Sequence, residues 1–278
     1  MTSITHYAIM AFGAILSAAA PHCVHGQLSP SISLQRLQCL VRAYPQVLDS
    51  VDGRWLYWRD GTRMPLGTLN PSPLPTDAAL DTASLLDQMA WCCPSTLPTL
   101  AAPPTNDVGR ARSEEFFKKL YGSTAKCVQA TLRPLKWLPT REGSTLMVSS
   151  LHGAFEAFER VSRELDRLPD SLLAYVRKPA GTFKWRVIAG TRRLSMHSFG
   201  IAIDINLERS HYWRYDKPDD TLEKPSPAQS AYRYRNQIPL EIVQIFERHG
   251  FLWGGRWYHY DTMHFEYRPE LMNCSCEQ

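Results

Sequence analysis

The side chains best suited to chemistry fall in two short stretches. The first is Ser195-Met196-His197-Ser198-Phe199-Gly200-Ile201-Ala202-Ile203-Asp204, and the second is Asp261-Thr262-Met263-His264-Phe265-Glu266. His197, Asp204 and His264 offer two imidazoles and a carboxylate as metal ligands. Asp261 adds a further carboxylate three residues before the last of them. Three protein ligands leave one position of a tetrahedral zinc open for water, and a nearby carboxylate can take that water's proton. This is the chemistry of a zinc hydrolase.

The spacing dictates how the chain must run. His197 and Asp204 are seven residues apart. A fully extended chain, at about 3.3 Å per residue, would hold them too far apart to share a metal. It would also point them to opposite faces, because seven is odd. The chain must therefore turn between them, and Gly200 is the natural place. That puts His197 on a loop and Asp204 on the following strand, with Ala202 keeping the same face small. His264 and Glu266 share one face of a later strand, with Phe265 on the other. Asp261, at the entry to that strand, can reach the same cavity and pass a proton to a leaving amine. Glu266 is placed to orient a ligand imidazole. Ser195 has no adjacent base in the sequence, which argues against a serine hydrolase; it is expected to hydrogen-bond within the motif loop. His211, His249 and His259 read as ordinary surface or supporting histidines.

The surrounding elements follow from periodicity. Phe155, Phe158, Val161, Leu165 and Leu168 recur at helical spacing as one apolar stripe. Phe183 to Ala189 alternates as a strand would. Phe199 to Asn206 alternates strictly, and Met263 to Arg268 alternates again up to Pro269. Pro239 to His249 reads as a helix with proline in its first turn and Gly250 at its end. Further upstream, Ala78 to Trp91 and Ser113 to Leu120 are expected helices, and Pro94 to Pro104 a loop. Helix, strands, helix and strand without regular βαβ repetition predict an α+β domain. It would be a small antiparallel sheet with flanking helices and the zinc site on the sheet, preceded by a Pro-rich, partly helical N-terminal region.

Bulk properties set the context. The chain has 278 residues, 44% of them hydrophobic, enough for a sizeable core. Its formal charge of +4 is spread out, which argues against a nucleic-acid surface. Tyr7 to Ala20 is apolar and small, and Ala18-Ala19-Ala20 offers a cleavage site, so residues 1–26 read as a secretory signal despite an n-region without Lys or Arg. No later stretch is long and apolar enough to span a bilayer. There are seven cysteines. Cleavage between Ala20 and Gln27 that removes Cys23 leaves an even set, and at least one disulfide is expected in an oxidising compartment.

Neither metal-site stretch is specific alone, but both within one domain length are far more so. Together they resemble the VanY-type zinc peptidases, the D-alanyl-D-alanine carboxypeptidases and L-alanyl-D-glutamate endopeptidases that act on peptidoglycan. The resemblance covers about 141–272. It includes Phe183-Lys184-Trp185-Arg186, Gly190-Thr191, the Ser195 to Asn206 block, Gly250-Phe251-Leu252-Trp253-Gly254-Gly255, and Asp261 to Pro269. It implies one zinc per chain on His197, Asp204 and His264, with Asp261 as catalytic base where relatives often carry Glu. It also implies an upstream arginine that polarises the scissile carbonyl, with Arg186 the first candidate and Arg193 the second. The segment Trp253 to Tyr260, Trp257 included, is expected to wall the substrate groove. The domain layout that follows is a signal at 1–26, an N-terminal region at 27–140 of unassigned role, the peptidase domain at 141–272, and a Cys-containing tail at 273–278. The expected substrate is peptidoglycan or a muropeptide, and the expected location the periplasm or cell envelope. The alternative is a non-catalytic zinc-containing binding or signalling domain of the same fold; Asp261 argues against it, since a purely structural site needs no base.

Overall fold

The computed structural model describes residues 32–70, 76–90, 107, 109–141, 143–216 and 234–274. The expected leader, the Pro94 to Pro104 loop and Cys23, Cys92, Cys93 and Cys276 lie outside these residues. The described residues form small antiparallel sheets and flanking helices, an α+β arrangement. The sheet that matters for the site has four strands, in the spatial order Pro179–Gly181, Ala202–Ile205, His264–Tyr267 and Phe251–Trp253. Every neighbouring pair is antiparallel.

One face of this sheet is covered by helices because its residues there are large and apolar. In the helix Ala154–Leu165, Phe158, Val161 and Leu165 of the predicted stripe are buried along with Ala154 and Ala157, while Phe155 is half-buried at the edge of the core. Leu168 follows the helix in a turn and still packs on the core. The helix Leu240–Arg248 starts at Pro239 and is followed by Gly250 at φ 85°, so its ends fall where proline and glycine put them. Phe246 from this helix stacks on Phe265 of the sheet at 4.0 Å, and Phe158 meets Phe251 edge-on at 4.8 Å.

Two expected elements differ. The helix read over Ala78 to Trp91 is two short helices, Asp77–Leu80 and Leu85–Ala90, and Trp91 is not among the described residues. Ser84 starts the second one: Asp87 N–H donates to Ser84 Oγ at 3.1 Å, and Ser84 N–H donates to the Asp87 carboxylate at 2.8 Å. This reciprocal cap outweighs the apolar spacing that ran through it. Phe183 to Ala189 is not a regular strand. It runs irregularly beside Leu194 to His197, joined by Lys184 N–H to His197 O, Ser195 N–H to Arg186 O and a bridge between Val187 and Leu194.

The N-terminal stretch packs directly against the rest. Besides the helices Leu34–Ala43 and Glu114–Tyr121 it holds a sheet that the helical and irregular reading of this region leaves out, with three antiparallel strands, Leu48–Val51, Trp55–Trp58 and Arg63–Pro65. Its Leu40, Tyr44, Phe116 and Phe117 share one buried cluster with Phe158, Phe199 and Phe265. The hairpin Leu132–Lys136 with Thr145–Ser149 runs across residue 140. A disulfide joins Cys39 of the first described helix to Cys274, while Cys127 is a free, exposed thiol. No described helix is long and apolar enough to cross a membrane.

Gly200 is a point where the backbone itself is constrained. Its φ is 67°, and a Cβ there would lie 2.5 Å from Leu132 Cδ2 and 3.2 Å from Ser149 N. Gly200→Ala is expected to cost about 1–2 kcal/mol for the left-handed conformation, with a steric cost added. A denaturant midpoint that does not fall would contradict this.

Candidate active site

Local folding brings the motif residues together. Ser195 opens a 3₁₀ turn, Met196–Phe199, by accepting a hydrogen bond from His197 N–H at 3.4 Å. Gly200 then reverses the chain into the strand Ala202–Ile205, which carries Asp204. Asp204 sits opposite His264 in the ladder with His264–Tyr267, so carboxylate and imidazole lie side by side. Asp204 Oδ1 is 3.1 Å from His197 Nε2 and 3.0 Å from His264 Nδ1. One ligand atom from each of the three lies within 4.8 Å of the others.

The outer ring nitrogens decide what this group can hold. His197 Nδ1 lies 3.2 Å from the Thr182 carbonyl, and His264 Nε2 lies 3.0 Å from Glu266 Oε2. A proton on each outer nitrogen leaves a lone pair on each inner one, pointed at Asp204. Two imidazole lone pairs and a carboxylate oxygen form a donor set that fits zinc, with both imidazoles held from behind. Where no cation is bound, protons must fill the gap. Burial pushes the His264 pKa down, but the hydrogen bonds to Asp204 and Glu266 outweigh it and raise it to about 10. Burial likewise opposes ionisation of Asp204, yet His197 and His264 hold it well below the ordinary carboxylate range.

A measurable consequence follows. With its pKa raised to about 10, His264 is charged in the metal-free protein at mildly alkaline pH. A ligating imidazole must be neutral, so zinc uptake at about pH 8.5 is expected to release roughly one proton per chain from His264, besides any lost by zinc-bound water. Calorimetric titration in two buffers of different ionisation enthalpy measures this; uptake without proton release would contradict it.

Asp261 reaches the same cavity from a tight turn. Its N–H donates to Gly254 O at 3.0 Å, and its carbonyl accepts from His264 N–H at 3.2 Å. A Cβ on Gly254 would lie 2.5 Å from that Asp261 carbonyl, so only glycine permits the approach. Asp261 Oδ1 is buried and has no hydrogen-bond partner among the described residues. Burial raises the Asp261 pKa to about 7; Asp204 adds to the shift, while His264 and Arg186 oppose it. The cavity, about 400 Å³, is lined by His197, Asp204, Asp261, His264, Arg186 and Trp257 among others.

The remaining expected residues divide. Arg186 is exposed at the cavity, and its guanidinium has no ion pair among the described residues. Arg193 also lines the cavity, but it is buried and committed to Asp77 at 3.3 Å and Asp81 at 3.2 Å. The Ser195 hydroxyl caps its own turn. Of the aromatic segment, Trp253 and Tyr260 are core residues, hydrogen-bonded to Thr262 O and to Asp216. Trp257 and His259 are the members of this segment that line the cavity, and Tyr212, Trp213 and Tyr215, which sequence reasoning did not place there, line it as well. His211 pairs with Asp216, His249 with Glu164 and His259 with Asp107, which are supporting arrangements.

Sequence reasoning missed what stands behind Glu266. This fully buried carboxylate receives Arg112 Nη2 at 2.5 Å and Nε at 3.2 Å, and Arg268 Nη1 at 2.8 Å. Burial opposes its charge, but Arg112, the His264 hydrogen bond and Arg268 hold its pKa well below the usual value. Arg268 could have been found, being two residues on along an alternating strand. Arg112 stands 154 positions from Glu266 in a segment without periodic pattern.

No curated protein and no solved structure gives a match to this chain. Residues 189–267 match the family model described as D-alanyl-D-alanine carboxypeptidase, a stretch that contains His197, Asp204, Asp261 and His264. The match covers less than half of the chain and supports its likeness to the VanY-type peptidases.

Proposed function

We propose that the protein is an exported zinc metallopeptidase that hydrolyses an amide bond in peptidoglycan stem peptides. It would act as a D-Ala-D-Ala carboxypeptidase or an L-Ala-D-Glu endopeptidase. The observation that carries this reading is Asp261 Oδ1, which has no hydrogen-bond partner among the described residues and lines the same cavity as the His197, Asp204 and His264 group. A zinc ion held by those three residues would supply Lewis acidity and lower the pKa of water. Asp261, once ionised, accepts a proton from the attacking water and returns it to the leaving amine. Arg186 presents to the cavity a guanidinium without an ion pair among the described residues, suited to the negative charge that develops on the scissile carbonyl oxygen. Trp257 gives one wall an apolar surface. A cavity of about 400 Å³ suits a short peptide segment.

Export is supported by the apolar leader and by the Cys39–Cys274 disulfide, since such bonds persist in oxidising compartments. The location proposed is the periplasm or cell envelope. Incubating the protein with isolated muropeptides, with and without chelator, and weighing the products tests the reading. Free D-alanine identifies a carboxypeptidase, and new internal termini identify an endopeptidase. A zinc-loaded protein that cleaves neither bond would refute hydrolysis and favour the partner-binding alternative.

A further inference from the structure

Arg112 belongs to the N-terminal stretch, outside the segment 189–267 that matches the family model. It is nevertheless built into the site. Its guanidinium grips the Glu266 carboxylate through two nitrogens, Nη2 to Oε2 at 2.5 Å and Nε to Oε1 at 3.2 Å. The same Oε2 lies 3.0 Å from His264 Nε2. Nη1 donates to the Arg110 carbonyl at 3.4 Å, and the guanidinium lies 5.5 Å from the Trp257 ring centre. Arg112 is 8% exposed and Glu266 is fully buried, so solvent does little to loosen the grip.

A carboxylate can turn about its own axis, and one held at a single oxygen does so. A two-point grip by a planar guanidinium fixes the plane. Fixing the plane of Glu266 fixes the direction from which His264 Nε2–H is held, and therefore where Nδ1 points. Arg268 holds the other oxygen at 2.8 Å and is itself tied to Glu270 at 2.6 Å. Glu270 in turn accepts from Tyr44 at 2.8 Å and Gln88 at 3.0 Å. The N-terminal stretch thus touches the His264 side of the site by two routes, one direct through Arg112 and one relayed through Arg268.

We propose that Arg112 is a positioning residue for the metal centre: by clamping Glu266 it aims the His264 imidazole, so the N-terminal stretch is part of the working site. The proposal rests on the reading of His197, Asp204 and His264 as a zinc site. Its test uses three substitutions in the full chain, Arg112→Met, Arg112→Lys and Glu266→Gln, together with the Arg112→Met/Glu266→Gln pair. Zinc affinity is measured by competition with a chelator, at a temperature where circular dichroism shows every variant folded. The visible spectrum of the cobalt-loaded protein reports ligand geometry. In the metal-free protein, the His264 Nε2–H resonance reports the imidazole's hydrogen bond without any metal.

Outer partners of metal ligands typically contribute ten- to a hundredfold in affinity. Arg112→Met is expected at the lower end, about tenfold weaker, because Arg268 still holds Glu266. Its cobalt spectrum should change and the Nε2–H signal should broaden or vanish. Arg112→Lys, which keeps charge without the fork, should fall between it and the parent. In the Glu266→Gln background, Arg112→Met should have little further effect, since the route is already cut. A folded Arg112→Met with parental zinc affinity, cobalt spectrum and Nε2–H signal would overturn the proposal. So would an undiminished effect in the Glu266→Gln background. Should Arg112→Met fail to fold, Arg112→Lys with wholly parental readouts would overturn it equally. Failure of the underlying metal reading looks different: the unmutated protein would bind neither zinc nor cobalt, and the proposal would fall with it.

Discussion

Asp261→Asn is expected to keep zinc in place while slowing peptide hydrolysis about a hundred- to ten-thousand-fold, the usual contribution of a general base. Asparagine preserves the shape of the side chain but cannot accept the proton. The substitution touches none of the three ligand side chains, and the Asp261 backbone bonds to Gly254 and His264 do not depend on the side chain. Its Oδ1 has no partner among the described residues, so no described hydrogen bond at that atom is lost in the folded state. Removing the charge of a carboxyl whose pKa burial has already raised to about 7 should leave stability intact or improve it near neutral pH. Asp204→Asn is the contrast: it alters a ligand, so zinc and activity should disappear together. Metal analysis and muropeptide turnover on the two variants separate a catalyst from a ligand, although both are aspartates. Near-full activity in zinc-bound Asp261→Asn would remove Asp261 as the base.

His264→Ala is expected to lose stoichiometric zinc and to drop hydrolysis to background. His264 is the ligand that depends most on its neighbours, being held between Asp204 at 3.0 Å and Glu266 at 3.0 Å. Truncation leaves Asp204 paired with His197 alone among the described residues and leaves Glu266 to its two arginines. A two-ligand remnant binds zinc far more weakly than three. The cavity created should destabilise the fold without abolishing it, because the surrounding strands are secured by Phe265 and Phe246 on the opposite face. Metal content measured after gel filtration decides the point. Undiminished zinc in His264→Ala would reject this ligand set.

The parts of the site that were legible in the sequence are those whose geometry is local. The odd spacing of His197 and Asp204 demanded a turn, and Gly200 supplies it at φ 67°. Alternation put Glu266 on the face of His264, where the two meet at 3.0 Å. The pairing of Asp204 with His264 needed only that two alternating segments be neighbours in one sheet. What stayed hidden depends on distant chain segments. Nothing near Arg193 reveals that Asp77 and Asp81 claim it, and nothing near Arg112 reveals Glu266. The break at Ser84 was readable in principle, since Ser84 and Asp87 have capping spacing, but the near-helical spacing of Leu80, Leu85, Leu86 and Met89, on which the Ala78 to Trp91 helix rests, masked it. Likewise Phe183 to Ala189 alternates as a strand would, yet its partner segment contains the 3₁₀ turn of the motif, and a turn cannot extend a regular ladder.

The bond between Cys39 and Cys274 spans 235 positions of sequence, and it gives the folding process a direction. A ribosome adds about 5–20 residues per second, so the first described helix waits on the order of tens of seconds for its covalent partner. During that time Tyr44 and Gln88 lack the Glu270 carboxylate they bind in the finished protein. The nascent chain cannot settle its core early, because the residues that close it are made late. Such a chain stays open for longer, and an open chain is the form that the proposed export would need. Slow, late closure is also a window in which a holdase can bind, before the Glu266 carboxylate stands 3.0 Å from His264.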